Sequence, residues 1–326
     1  MVGFTTTIPL EILIAAGRRP VDLNNIFITH ADPNSLMEEA EVAGFPRNIC
    51  GWIKGLYGVT LERGIEEIIA VTEGDCSNTQ ALMEGLTLQG VRTIPFAYPY
   101  ERSAAQLNME ISELARHFGV SLEQVEAARA ELAPLRRRIH EIDRLTWEED
   151  RVTGGENHYY QVCASDMNGD PTAYAKEVED FLEEAKARAP LTQKLRLAYI
   201  GVPPIFADLY TALEQMDARV VFNETQRQFS MPWQTANIAE QYRRYTYPYD
   251  IFTRLEDIEK EVATRRVDGV IHYVQSFCFR QIEDMIVRKR LRLPVLTLEG
   301  DRPGPLDART RIRIEGFLEM LKARKP

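Results

Sequence analysis

Apolar runs of strand length recur along this chain, separated by longer stretches that read as helix. In the first part they are Asn25–Thr29 (NIFIT), Glu67–Val71 (EIIAV) and Thr93–Ala97 (TIPFA). In the last part they are Leu195–Ile200 (LRLAYI), Arg219–Phe222 (RVVF), Gly269–Val274 (GVIHYV) and Pro294–Leu298 (PVLTL). Strands that alternate with helices build parallel sheets whose faces the helices cover. Between the two groups, Glu101 to Ala189 reads almost entirely as helix. Ser121-Leu-Glu-Gln124 is a capping box that opens a helix running toward Leu145, and Pro134 is expected to kink or split it. Thr153–Asn157 (TGGEN) reads as a break, and a further helix covers Ala173–Ala187. The Ala189-Pro190 step marks the boundary before the second lobe. The expected fold is therefore α/β, with two doubly wound parallel-sheet lobes joined by a helical segment and a cleft between them. Residues 1–190 form the N-terminal lobe with its helical segment (about 101–190), and residues 191–326 form the C-terminal lobe.

In open parallel sheets, ligands bind beyond the carboxyl ends of the strands, so the loops leaving those ends carry the functional question. A formal charge of −10 argues against nucleic acid as the main partner, since phosphate binding needs a basic face. It leaves room for an anionic small ligand. No apolar run approaches the ~18 residues a spanning helix needs. Glu11 interrupts the apolar stretch Ile8–Ala16, and Arg18-Arg19 lies on the wrong side for a secretory leader, so a cytoplasmic location is expected.

G-x-G-x-x-G, G-x-x-x-x-G-K-[ST], H-E-x-x-H and G-x-S-x-G are absent, so dinucleotide binding, ATP hydrolysis and the commoner hydrolase chemistries lose support. His272 alternates within a strand and reads as a core residue; His158, beside Tyr159-Tyr160, carries no usable pattern. Glu299-Gly-Asp301 reads as a solvated or helix-capping stretch more than as a source of a cleft carboxylate, and Gly201-Val-Pro-Pro204 reads equally as a tight turn or as a segment shaping a ligand pocket. Gln241–Tyr249 (QYRRYTYPY), with Arg243-Arg244, reads as a surface or partner-facing segment more than as a local anion site.

Four cysteines in a chain of 326 residues do not make a disulfide framework. Cys76 and Cys278 occupy one topological position in each lobe, the loop leaving the carboxyl end of a strand. Cys50 lies near the start of a helix. A helix N-terminus after each cysteine favours thiolate. The spacings of 26 and 202 residues between Cys50, Cys76 and Cys278 leave two readings open, ligands of a metal cluster or small buried hydrophobes. Cys163, within a helix-rich stretch, reads as a packed helix residue.

Several motifs follow one another in an order that resembles a known family. They are Ile8–Gly17 (IPLEILIAAG) with Pro20-Val21, Cys50, the strand followed by Cys76, and Gly154-Gly-Glu156. Leu197–Pro204 (LAYIGVPP), Asp268-Gly-Val-Ile271 with Cys278, Leu293–Asp301 (LPVLTLEGD) and Thr310–Met320 (TRIRIEGFLEM) complete the series. Nearly the whole chain thus resembles the 2-hydroxyacyl-CoA dehydratase and benzoyl-CoA reductase family, which includes the double-cubane cluster proteins. The resemblance implies a [4Fe-4S] cluster held between the lobes by Cys50, Cys76 and Cys278, with the fourth iron site open to act on a substrate oxygen. It implies reduction of an acyl-CoA thioester carbonyl to a ketyl radical anion that expels the neighbouring hydroxyl, or a related ring reduction. It further implies electrons from a separate ATP-dependent activator and a homologous second subunit. The rival readings are a homodimeric reductase of small molecules with a double-cubane [8Fe-9S] cluster, and a non-catalytic two-lobed ligand-binding or structural partner subunit. Trp52 and Lys54 stand where smaller, more polar residues are expected, and the chain is short for a family subunit.

Overall fold

The computed structural model describes residues 1–325. Two four-stranded sheets, parallel throughout, are covered by helices. The first contains β1 (Val2–Phe4), β2 (Pro20–Asp22), β3 (Glu67–Glu73) and β4 (Arg92–Ala97), in the order β2-β1-β3-β4. The second contains β5 (Leu195–Gly201), β6 (Ala218–Asn223), β7 (Gly269–Gln275) and β8 (Val295–Gly300), in the order β6-β5-β7-β8. The two orders are the same. Each reverses direction at its centre, between β1 and β3 and between β5 and β7, and a crevice opens beyond the carboxyl ends of the strands at such a switch point. β7 is buried along its whole length and β3 over its first five residues, as strands covered on both faces must be.

Six of the seven expected strands are strands, with ends within two residues of those expected. The seventh is not: Asn25–Thr29 lies in the helix Leu23–Thr29. The Asp22 side chain accepts the Asn24 amide and starts that helix, while the extended piece is the three-residue β2 just upstream. A short apolar run does not by itself distinguish strand from buried helix. Pro134 does not split its helix, which runs unbroken over Leu122–Trp147. Pro134 and Ala130 are both exposed, so the carbonyl that a proline leaves without its i+4 donor faces water. The expected break at Thr153–Asn157 is a helix start: Thr153 and Glu156 form a capping box for the helix Gly154–Cys163.

The two sheets share their interior. One apolar cluster joins Ile53, Leu56 and Leu82 of the first part to Tyr199, Ile205 and Tyr273 of the second. The segment after β6 crosses over, so that Phe229, Tyr242, Tyr245 and Tyr249 pack with Phe4, Ile69 and Tyr98 beside the first sheet. The expected surface or partner-facing role of Gln241–Tyr249 is therefore overturned for those tyrosines. Arg243 and Arg244 both pair with Glu240, which leaves no free pair of cations for phosphates. Among the described residues, no helix is long and apolar enough to cross a membrane.

Candidate functional site

Both switch points open into one cavity of about 120 Å³, several times the space one water needs. Thr5–Thr7 after β1 and Cys76 after β3 line it from the first sheet; Val202–Pro204 after β5 and Cys278 after β7 line it from the second. Cys50, the residue before the helix Gly51–Glu62, lines it too. Three cysteines far apart in sequence therefore meet at one cavity. All are free thiols, half-buried, and a charge on Cys278 or Cys76 is felt by Cys50.

Local structure explains how each sulfur arrives. Cys50 and Cys76 are the N-cap residues of the helices Gly51–Glu62 and Ser77–Leu88, and Cys278 lies two residues before the helix Arg280–Arg290. Gly74 turns the chain out of β3 at φ +95°, and a side chain there would stand 2.7 Å from Pro248 and 2.8 Å from Tyr98. Phe277, the residue before the cavity-lining Cys278, also has a positive φ, 60°; for a bulky residue this conformation is strained. A Cβ on Gly51 would stand 2.5 Å from the Asp301 carbonyl oxygen, so the Cys50 helix is seated directly against the loop after β8.

Burial dominates the electrostatics of the three thiols. Burial pushes the Cys50 thiol up to about 12, although the Trp52 and Ile53 amides pull the other way. Burial, then the neighbouring Asp75, pushes Cys76 up to about 11. Burial raises Cys278 as well, opposed by the Arg280 amide and guanidinium. These thiols ionise only against a cation. Arg280 is buried, its guanidinium 4.2 Å from the centre of the Tyr247 ring, donating to the Tyr247 carbonyl and to Glu283. Asp75 accepts the Cys76 amide at 2.8 Å and the Thr79 hydroxyl at 3.0 Å, and burial raises its pKa.

Among the described residues, no three His, Cys, Asp or Glu side chains converge closely enough for a single metal ion. A cubane spreads its thiolates over separate irons, so sulfurs around one cavity suit a cluster where they do not suit a mononuclear ion. Soft thiol donors beside helix N-termini are the right chemistry for iron and sulfide. The residues present fit such a group.

Of the other residues singled out in the sequence, Cys163 is buried at the end of the helix Gly154–Cys163 and does not line this cavity. His272 is a core residue, its Nδ1 bonded to Asp284 at 2.7 Å. Lys54 points away from the cavity: its ammonium donates to Glu41 at 2.8 Å and to the Arg47 carbonyl, tying down the loop before Cys50. Trp52 lines the cavity, and its indole N–H has no partner. Asp301 presents its backbone, not its carboxylate, to Gln275. Sequence reading missed Asp75, Arg280 and His158. The first two sit within two residues of the cysteines and were findable by proximity; nothing local marks His158.

Residues 5–321 match the family described as 2-hydroxyglutaryl-CoA dehydratase, D-component. No curated protein matches the chain.

Proposed function

The chain belongs to the 2-hydroxyglutaryl-CoA dehydratase D-component family, and from that premise we propose that it is the iron–sulfur component of a 2-hydroxyacyl-CoA dehydratase, with Cys50, Cys76 and Cys278 as ligands of one [4Fe-4S] cluster. The observation that carries this reading is that these three thiols, and not Cys163, border one cavity at the switch points of both sheets. When bound, such a cluster supplies single low-potential electrons and a Lewis-acidic iron position. Electrons come from a separate ATP-dependent activator, and a homologous second subunit completes the enzyme.

The chain's own residues have definable parts. Arg280 holds a permanent positive charge beside Cys278, which offsets part of the charge of three thiolates. The amides of Trp52, Ile53, Asn78, Thr79 and Arg280 face the sulfurs and favour their ionised form. Val202, Pro203, Pro204 and Trp52 give the cavity an apolar wall, which would keep water from a bound acyl group and strengthen the electrostatics within.

Iron and acid-labile sulfide, counted per chain after anaerobic purification, test the proposal. The wild type is expected to hold one cluster, Cys50→Ser, Cys76→Ser and Cys278→Ser to lose or degrade it, and Cys163→Ser to keep it. A well-folded wild type unable to take up iron and sulfide overturns the reading, as does a Cys163→Ser variant that fails like the other three.

A further inference from the structure

His158 reaches the same cavity from the helix Gly154–Cys163, and a chain of buried and part-buried hydrogen bonds favours one position for its proton. The chain starts at Asp143, an anion clasped by both terminal nitrogens of Arg265 at 2.9 and 2.6 Å. Burial would raise the Asp143 pKa, but Arg265 wins and lowers it, so Asp143 only accepts. Asn157 therefore turns its amide nitrogen toward Asp143 at 3.1 Å, and its oxygen faces Asn223. Asn223 donates to that oxygen at 2.8 Å and to the Gly154 carbonyl at 3.0 Å, leaving its own oxygen to accept the Tyr210 hydroxyl at 2.8 Å. With its proton committed, the Tyr210 oxygen accepts, and Gln226 turns its nitrogen toward it at 3.5 Å, the longest link. The same nitrogen meets His158 Nδ1 at 3.1 Å. Reversing the Gln226 amide would set its oxygen against the accepting Tyr210 oxygen. The orientation holds even though Gln226 Oε1 then has no partner.

An imidazole that accepts at Nδ1 carries its proton on Nε2. We propose that His158 is a substrate-binding residue, a neutral imidazole that presents its Nε2–H to an oxygen of the acyl group held in the cavity. This rests on the acyl-CoA reading above. Burial lowers the His158 pKa to about 4, and no carboxylate opposes it. The imidazole is thus neutral when it donates. Tyr210 backs the ring, 5.2 Å between centres and tilted by 34°, which limits its rotation.

Two measurements on the full-length chain test this separately. In the first, the nitrogens of ¹⁵N-histidine-labelled protein are followed by long-range proton–nitrogen correlation from pH 5 to 8, with His158→Gln identifying the signal. The neutral Nε2–H pattern is expected throughout, and Gln226→Glu, which can only accept, is expected to move the proton to Nδ1. A wild-type His158 in the Nδ1–H form, or one that titrates near its ordinary value, overturns the proposal. In the second, butyryl-CoA binding to the anaerobically loaded protein is measured by calorimetry. His158→Leu is expected to weaken it about tenfold, the worth of one hydrogen bond, and His158→Gln, which keeps a donor, to restore most of it. Equal affinity of His158→Leu and wild type overturns the donor role. A wild type that binds no thioester, with the Nε2–H form intact, overturns the acyl-CoA reading instead.

Discussion

Asp166 shows how far burial beside a second carboxylate can move a carboxyl group in this molecule. Its pKa is raised to about 7 by burial and then by neighbouring Asp22, although it accepts the Asp22 and Asn168 amides. Asp22 is raised as well, by burial, and accepts the Ser165 hydroxyl at 2.6 Å. A carboxyl whose folded pKa lies above its ordinary 3.8 holds a proton in the native state that the unfolded chain has released. Its contribution to stability is thus complete below about pH 4 and is lost as the pH climbs through about 7. Asp166→Asn is expected to flatten the fall in thermal midpoint between pH 4 and 8; an unchanged slope would remove Asp166 as its source. The same dominance of burial explains why three thiols at helix N-termini remain protonated until a cation arrives.

At the level of single elements, the helix Gly51–Glu62 decides where Cys50 stands. Gly51, Gly55 and Gly58 recur at helical spacing, and a Cβ on them would meet the Asp301 carbonyl at 2.5 Å, the Phe27 ring at 2.3 Å and the Leu36 carbonyl at 2.4 Å. The helix backbone lies against backbone at Gly51 and Gly58 and against an aromatic ring at Gly55. Gly55→Leu is expected to cost about 1–3 kcal/mol through overpacking, with a lower yield of iron per chain. Gly85→Ala, in the helix after Cys76, meets only Phe45 at 3.8 Å and is expected to be neutral or stabilising by up to ~1 kcal/mol. Chemical unfolding of the pair checks both; equal stability of the two variants would contradict close seating of the Cys50 helix. The longer elements were legible in the sequence because a buried strand such as Gly269–Val274 and a capping box such as Ser121–Gln124 are written in local residues. β1 and β2 were not, since three residues each carry too little pattern, and the run NIFIT reads alike as strand or buried helix. Cys76 and Cys278 could be placed from topology, whereas His158 depends on a relay whose bonded residues lie 13 to 122 positions apart, Asn157, Asn223 and Arg265 among them, which no local window contains.

Across the whole molecule, two sheets of identical strand order are fixed together so that their switch points share one cavity. Buried ion pairs set that relation. Glu11, fully buried in the first part, accepts from Arg136 at 2.6 Å, Gln241 at 2.7 Å and Tyr242 at 2.8 Å, tying the helices Leu10–Ala15, Leu122–Trp147 and Ile238–Arg244 together. Removing one partner of such a pair strands a buried charge, so Arg136→Met is expected to cost about 3–5 kcal/mol. Arg243→Ala, at a half-exposed pair, is expected to cost under about 1 kcal/mol. Thermal unfolding of the two variants distinguishes them, and similar losses would deny Glu11 its structural part. The proposed chemistry depends most on three distant sulfurs sharing one inorganic core. A crystal structure of the anaerobically loaded protein, with iron located by anomalous scattering, tests this directly. The expected result is one compact iron site in the cavity, bonded by Cys50, Cys76 and Cys278 with Cys163 apart. Iron lying elsewhere, or a site lacking any one of those three sulfurs, would contradict it.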